Sequence, residues 1–288
     1  MSTGIFSNVF LPVTIAVITL GLGLTLTVRD LKNVFYYPKG LTIGLLCQLI
    51  LLPIIAFSIA AVMKLPPELA VGLVLISVCP GGATSNLINF LVRNNVALTI
   101  SLTATNSIIT IFTIPLITQL ALNVFLDQDA MIRLSFLESV GKIFLLTVLP
   151  AAIGILVRRY REALAMKLEK PMRYILPILL LLVYSGVLFL ESSDGGMNLT
   201  RFLYILPFTL MLNIIAMFSG LYVPRMLGLV LRDQATIAVD VGLQNSTLAI
   251  FVAGILLDNF TIATVAVVYG SFTFFTTWAF GYLAKKYL

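Results

Sequence analysis

Asp240 lies in the run Val239-Asp240-Val241-Gly242-Leu243-Gln244-Asn245-Ser246-Thr247, flanked by apolar stretches. A carboxylate deep in an apolar segment costs about 3 kcal/mol to insert into a bilayer, so it must meet a cation, a polar partner or water. No basic residue lies at comparable depth, and Lys142, the nearest in type, stands one helical turn from Glu138 and pairs with it more simply. A second polar run, Cys79-Pro80-Gly81-Gly82-Ala83-Thr84-Ser85-Asn86, interrupts an earlier apolar segment. Proline removes a backbone donor there, and paired glycines favour unwound chain. A third pattern is Thr99, Thr103, Asn106, Thr110 and Thr113, whose steps of four, three, four and three put them on one helix face. Hydroxyls, amide oxygens, carboxylates and unwound carbonyls are the ligands of hard cations. Ser85, Asn86, Thr99, Thr103 and Asp240 form a plausible set for one monovalent cation. The bland alternatives are threonines bonded to their own helix carbonyls and a protonated Asp240 bonded between helices. A five-member stripe beside a carboxylate favours the polar cavity and the cation.

The elements that must position these residues follow from composition. Of 288 residues, 60% are hydrophobic and 10% charged, with a mean hydropathy of +1.08. A soluble domain carries about 25% charged residues, so the chain reads as an all-α polytopic membrane protein. At roughly 30 residues per span and loop, it holds nine or ten helices and no soluble domain. Breaking the apolar runs at charges and Pro/Gly clusters gives nine segments, near 8–28, 38–63, 68–92, 96–125, 134–158, 171–191, 201–224, 233–256 and 259–284. Fourteen of the 18 Lys and Arg residues then fall on one side, which places the C-terminus in the cytoplasm and the N-terminus outside. The net charge of +6 is thus topology rather than a nucleic-acid surface. The first 28 residues hold no Lys or Arg, so the first helix reads as a retained span rather than a cleaved signal.

Chemistry is bounded by what is missing. There is no histidine, and the two cysteines, Cys47 and Cys79, have apolar neighbours, which rules out zinc sites, histidine triads and histidine relays. A single deep carboxylate makes a membrane-embedded enzyme a poor reading. Two polar breaks, one in each half, are the sequence pointer to a transporter site between inverted repeats. Segments five to nine make a five-helix repeat (126–288), and segments one to four the same repeat without its opening helix (1–125). Together they form one transmembrane unit, 1–288. An odd-numbered repeat inserts with opposite polarity the second time, hence the inversion.

Gly21-Leu22-Gly23-Leu24-Thr25-Leu26 with Asp30, then Gln48, Cys79-Pro80-Gly81-Gly82 with Ser85-Asn86, Asn95-Val96-Ala97-Leu98, and Val241-Gly242 with Gln244-Asn245-Ser246 resemble the bile acid:sodium symporter family. The resemblance runs from about residue 8 to the C-terminus. It implies a core domain with two crossing broken helices packed on a panel domain, and two Na+ ions at the crossing. It implies a first sodium site from Ser85, Asn86, Thr99, Thr103 and Asp240. The second would use Gln48, Asp240 and Gln244 with the carbonyls of Val241 and Leu243. The chain departs from bacterial members in having Asp240 for Glu, and from the family in having Ala83 for a frequent Thr, and Phe275 or Thr276 for Asn. Its nine-helix form is similar to the animal members. The expected activity is sodium-coupled uptake of an organic anion, bile-acid-like or a small carboxylate, across the cell membrane by alternating access. Half-helix N-termini, with Thr84 and Asn245, would receive the anion. A carrier driven by protons or by no ion, with Asp240 titrating, is the alternative.

Overall fold

The computed structural model describes residues 6–27, 38–126, 135–191 and 199–287, and all regular structure among them is helical. Asp30 and the basic residues Arg29, Lys32 and Arg133 of the charge count lie outside them. The helices are α1 (Asn8–Thr25), α2 (Pro38–Val62), α3 (Pro67–Val78), α4 (Ala83–Leu91), α5 (Val96–Phe125), α6 (Phe136–Tyr160), α7 (Glu162–Glu191), α8 (Leu199–Met226), α9 (Leu231–Gly242), α10 (Ser246–Phe251) and α11 (Phe260–Tyr287).

Among the described residues, seven stretches are long and apolar enough to cross a membrane: α1, α2, α5, α6, α8, Leu231–Leu256 and Phe260–Ala284. The bent α7 makes an eighth. The third segment is broken where the polar run interrupts it, into two short helices, α3 of 12 residues and α4 of nine. At about 1.5 Å per residue α3 rises only about 18 Å, short of the roughly 30 Å hydrocarbon layer.

Proline sets the irregularities. π-helical turns at Cys47–Leu51 and Phe144–Val148 precede Pro53 and Pro150, where the helix must absorb a missing N–H. The 45° bend of α7 falls between Met172 and Tyr174, where Pro177 cannot donate to the carbonyl four residues back.

Packing falls into two groups. α1 lies on α6 and α7, while α3 packs on α2, α5 and α11, and α8 on α9 and α11. The α1–α6 approach needs glycine: a methyl on Gly23 would overlap the Ala151 carbonyl, and one on Gly154 would sit 2.5 Å from the Leu20 carbonyl. The stretch Leu231–Leu256 is 83% buried and α6 only 11%, so the second break is enclosed by protein while α6 shows side chains such as Leu145 and Leu156 outward.

The two halves share a backbone spelling. Lys64 (φ 50°) and Gly228 (φ 74°) are left-handed corners, each followed by Leu, an extended residue and a 12-residue helix. Asn95 caps α5 through Leu98 N, and Asn259 accepts from Ile262 N at the start of α11. Lys64 to Gly228, Pro67 to Leu231 and Asn95 to Asn259 are each separated by 164 positions. Irregular backbone inside an apolar protein is tolerated only where its polar groups find partners, and both halves solve that with the same corner and cap.

Candidate functional site

The two breaks meet. The Asn245 N–H donates to the Pro80 carbonyl at 2.9 Å, joining the unwound chain after α9 to that after α3. Asp240, in the last turn of α9, is wholly buried there. The Thr99 hydroxyl lies 2.9 Å from Asp240 Oδ1 and 3.0 Å from Asn86 Oδ1, and that of Thr103 lies 3.5 Å and 3.3 Å from the same oxygens. The Ser85 hydroxyl faces the carboxylate as well and donates its hydrogen to the Gly82 carbonyl at 2.9 Å. Gly81 permits this: a Cβ on it would stand 3.2 Å from Asp240 Oδ1 and 3.3 Å from Ser85 Oγ.

Hydrogen is scarce in this cluster. A hydroxyl carries one hydrogen, so Thr99 and Thr103 can each serve one of the oxygens they face. Asp240 Oδ2 is buried without any donor. Among the described residues no Lys or Arg pairs with Asp240, whereas Lys142 does pair with Glu138, at 2.6 Å on the surface.

A second cluster adjoins it. Gln48, from the π-helical turn of α2, places Nε2 3.5 Å from Gln244 Oε1, and Gln244 Nε2 donates to the Val241 carbonyl at 2.7 Å. Leu243 lies in the break, with its N–H 3.4 Å from the Asp240 backbone carbonyl, so the second cluster starts directly after Asp240 in the chain. Gln48 Oε1 is buried and unpartnered. All nine residues expected to bind ions therefore converge on one crossing.

The two residues expected to meet an anion are placed differently. Asn245 is half-buried, and its Oδ1 accepts from Leu248 N at 3.0 Å, capping α10. Thr84 is exposed in the first turn of α4. Further along the α5 stripe, Thr110 donates to the Asn106 carbonyl at 2.9 Å, the ordinary helix back-bond, whereas both amide atoms of Asn106 lack partners.

Two networks support the crossing that the sequence reading did not single out. The Gly242 carbonyl accepts from Asn213 Nδ2 and from the Tyr269 hydroxyl, both at 2.7 Å, and Thr276 donates to Asn213 Oδ1 at 2.8 Å. Thr276 thus braces the break from behind, while Phe275 is 67% exposed. At the other end of α9, Asn95 Nδ2 bonds Asp233 at 2.8 Å, the Asn95 N–H bonds Thr236 at 2.9 Å, and Arg232 reaches the Asn94 carbonyl at 3.1 Å. Lone asparagines in apolar helices, such as Asn213, were the available signal, because such an amide must find a partner.

Comparison with known proteins adds the family. The model of the sodium bile acid symporter family matches residues 12–195, more than half of the chain. The probable sodium/metabolite cotransporter BASS1, chloroplastic, of Arabidopsis thaliana is 30% identical over 238 residues, 81% of this chain and 56% of the relative. The uncharacterized sodium-dependent transporter YocS of Bacillus subtilis is 28% identical, covering 83% and 72%. The sodium/bile acid cotransporter 4 of Mus musculus is 30% identical over 151 residues, 52% and 34%. The chain spans just over half the length of the plant relatives it matches.

Proposed function

Starting from the fact that this chain belongs to the sodium bile acid symporter family, we propose that it is a sodium-coupled symporter, not an enzyme, that takes up an organic anion by alternating access. The observation that carries the reading is the Asp240 carboxylate: wholly buried, met only by hydroxyls, with Oδ2 lacking a donor. A buried charge is retained only where a partner offsets its desolvation, and a monovalent cation supplies that here. Oδ2 has no partner of either kind, so a proton carried on that oxygen would be unmet.

Two Na+ ions are cargo in this reading. One is held by Ser85, Asn86, Thr99, Thr103 and Asp240, and the other by Gln48, Asp240, Gln244 and the carbonyls of Val241 and Leu243. Sodium neutralises the crossing and fixes the two breaks against each other. Linkage makes the effect reciprocal, so bound sodium raises anion affinity and bound anion raises sodium affinity. The half-helix starts at Ala83 and Ser246 offer backbone N–H groups to the anion, with Thr84 and the free Nδ2 of Asn245 beside them. The class of anion, a bile-acid-like conjugate or a small metabolite carboxylate, follows what the relatives are named for.

The closest packing of α1 is on α6 and α7, and this group meets the rest through α7 on α11 and α6 on α5, an arrangement that supports a panel that rocks against a core. The shared corners and caps support two repeats, and the charge bias supports a cell-membrane protein with its C-terminus in the cytoplasm. The test is uptake of radiolabelled carboxylates and bile acids into proteoliposomes under an imposed sodium gradient and, separately, a pH gradient. Uptake that follows sodium supports the reading, and uptake that follows only pH assigns Asp240 to proton transfer.

A further inference from the structure

Asn106 is wholly buried on α5, one turn beyond Thr103 on the same face, and neither Nδ2 nor Oδ1 finds a partner within the protein. An amide left in that state inside a protein is costly, and native structures rarely keep one unmet. Gln48 is also buried, and its Oε1 is unmet as well.

The register of α2 on α5 brings these atoms together. A Cβ on Gly40 would meet the Leu98 side chain at 3.2 Å, and one on Gly44 would meet the Leu102 side chain at 2.5 Å. Steps of four along α2 match steps of four along α5, and the π-helical turn holding Gln48 also packs on α5, so continuing that register by one turn points Gln48 toward Asn106. The facing atoms are one amide N–H2 and two carbonyl oxygens. A bare cation is opposed by the N–H2 hydrogens, and an anion by the two oxygens. One water suits all three, accepting from Nδ2, donating one hydrogen to Oδ1 of the same amide and the other to Gln48 Oε1.

We propose that Asn106 and Gln48 hold a buried water between α5 and α2, and that Asn106 is thereby the positioning residue that orients Gln48 and couples the two ion clusters. Thr103, one turn away on α5, belongs to the first cluster and Gln48 to the second, so a shift of α5 on filling the first is transmitted to the second through this link. The proposal rests on the reading of Gln48 as a sodium ligand.

The experiment uses the purified full chain and two measurements: the unfolding temperature in choline chloride, and the sodium concentration that gives half of the sodium-dependent stabilisation. The variants are Asn106→Leu, Asn106→Ser, Gln48→Leu and the double Gln48→Leu/Asn106→Leu. Asn106→Leu should lower the choline unfolding temperature and raise the half-saturating sodium concentration about fivefold, the weight of one hydrogen bond. Asn106→Ser, which keeps a donor and an acceptor, should recover most of both. The double variant should be no worse in sodium than Gln48→Leu alone. Should Asn106→Leu fail to fold, Asn106→Ala is compared with Asn106→Ser in the same measurements. An Asn106→Leu protein as stable as the parent, with unchanged half-saturation, overturns the proposal, as do additive effects in the double variant. If the parent itself shows no sodium-dependent stabilisation, the symport reading fails, and the amide link is still decided by the choline temperatures of the four variants.

Discussion

Replacing Asp240 by Asn leaves the side chain its shape and the oxygen that Thr99 and Thr103 face, but turns Oδ2 into an amide nitrogen and removes the charge. For a cation about 4 Å from the lost charge at an effective dielectric near 20, the attraction removed is about 4 kcal/mol. That is about a thousandfold in dissociation constant. In the proposed arrangement Asp240 serves both ions, so both weaken together. Sodium at about 100 times its dissociation constant stabilises the native protein by about 2.7 kcal/mol, or roughly 5 to 10 °C for a chain of this size. The assay compares thermal unfolding in sodium chloride and choline chloride at equal ionic strength. The parent should gain in sodium and Asp240→Asn should not. Glu138→Gln should keep the full gain, because Glu138 is 60% exposed and paired with Lys142. In choline, Asp240→Asn should unfold no lower than the parent, since a buried charge without a counter-charge is itself destabilising. An Asp240→Asn protein that keeps the sodium gain with half-saturation within tenfold of the parent would refute the cation assignment.

Thr103→Ala should weaken only the first ion site and Gln48→Ala only the second; if sodium-driven uptake in the parent has a Hill coefficient above one, each should lower it toward one, and coupling in the double variant follows from the shared Asp240. Tyr269→Phe removes one of two donors to the Gly242 carbonyl and should cost about 1 kcal/mol of stability, while Asn213→Leu removes the other donor and also the shortest acceptor of Thr276, leaving that hydroxyl the Thr273 carbonyl at 3.2 Å, and should cost more. Gly23→Ala drives a methyl into the Ala151 carbonyl and should lower stability by about 1 to 3 kcal/mol, read as a drop in unfolding temperature in either salt.

Much of this arrangement is legible in the residues because membrane burial penalises strongly what soluble surfaces tolerate. Asp240 and the run from Cys79 to Asn86 stand out as polar intrusions, and the α5 stripe places Thr99 and Thr103 by helical period alone. The third segment is legible as a broken one because Pro80 and two glycines favour unwound chain, whereas the shortness of α3 and α4 on either side of the break is set by tertiary packing. Asn245 reads as a side chain offered to an anion because its sequence neighbours do not reveal that α10 begins at the next residue and claims its oxygen as a cap. Asn213 and Tyr269 escape notice for a similar reason: each is one polar group in an apolar helix, and only tertiary packing aims both at the same carbonyl.

The bond from Asn245 N to the Pro80 carbonyl spans 165 positions, and that distance has a meaning in time. Chains emerge from the ribosome at about 5 to 20 residues per second, so about 8 to 33 s separate synthesis of the acceptor from synthesis of its donor. Throughout that interval α3 is a helix too short to cross the bilayer, ending in a carbonyl that its cross-chain partner cannot yet satisfy. The first half must therefore wait at the membrane in an unfinished form, held by neighbours such as α2 and α5. The crossing closes only when α9 and the break after it arrive, so the late-made half completes the early one.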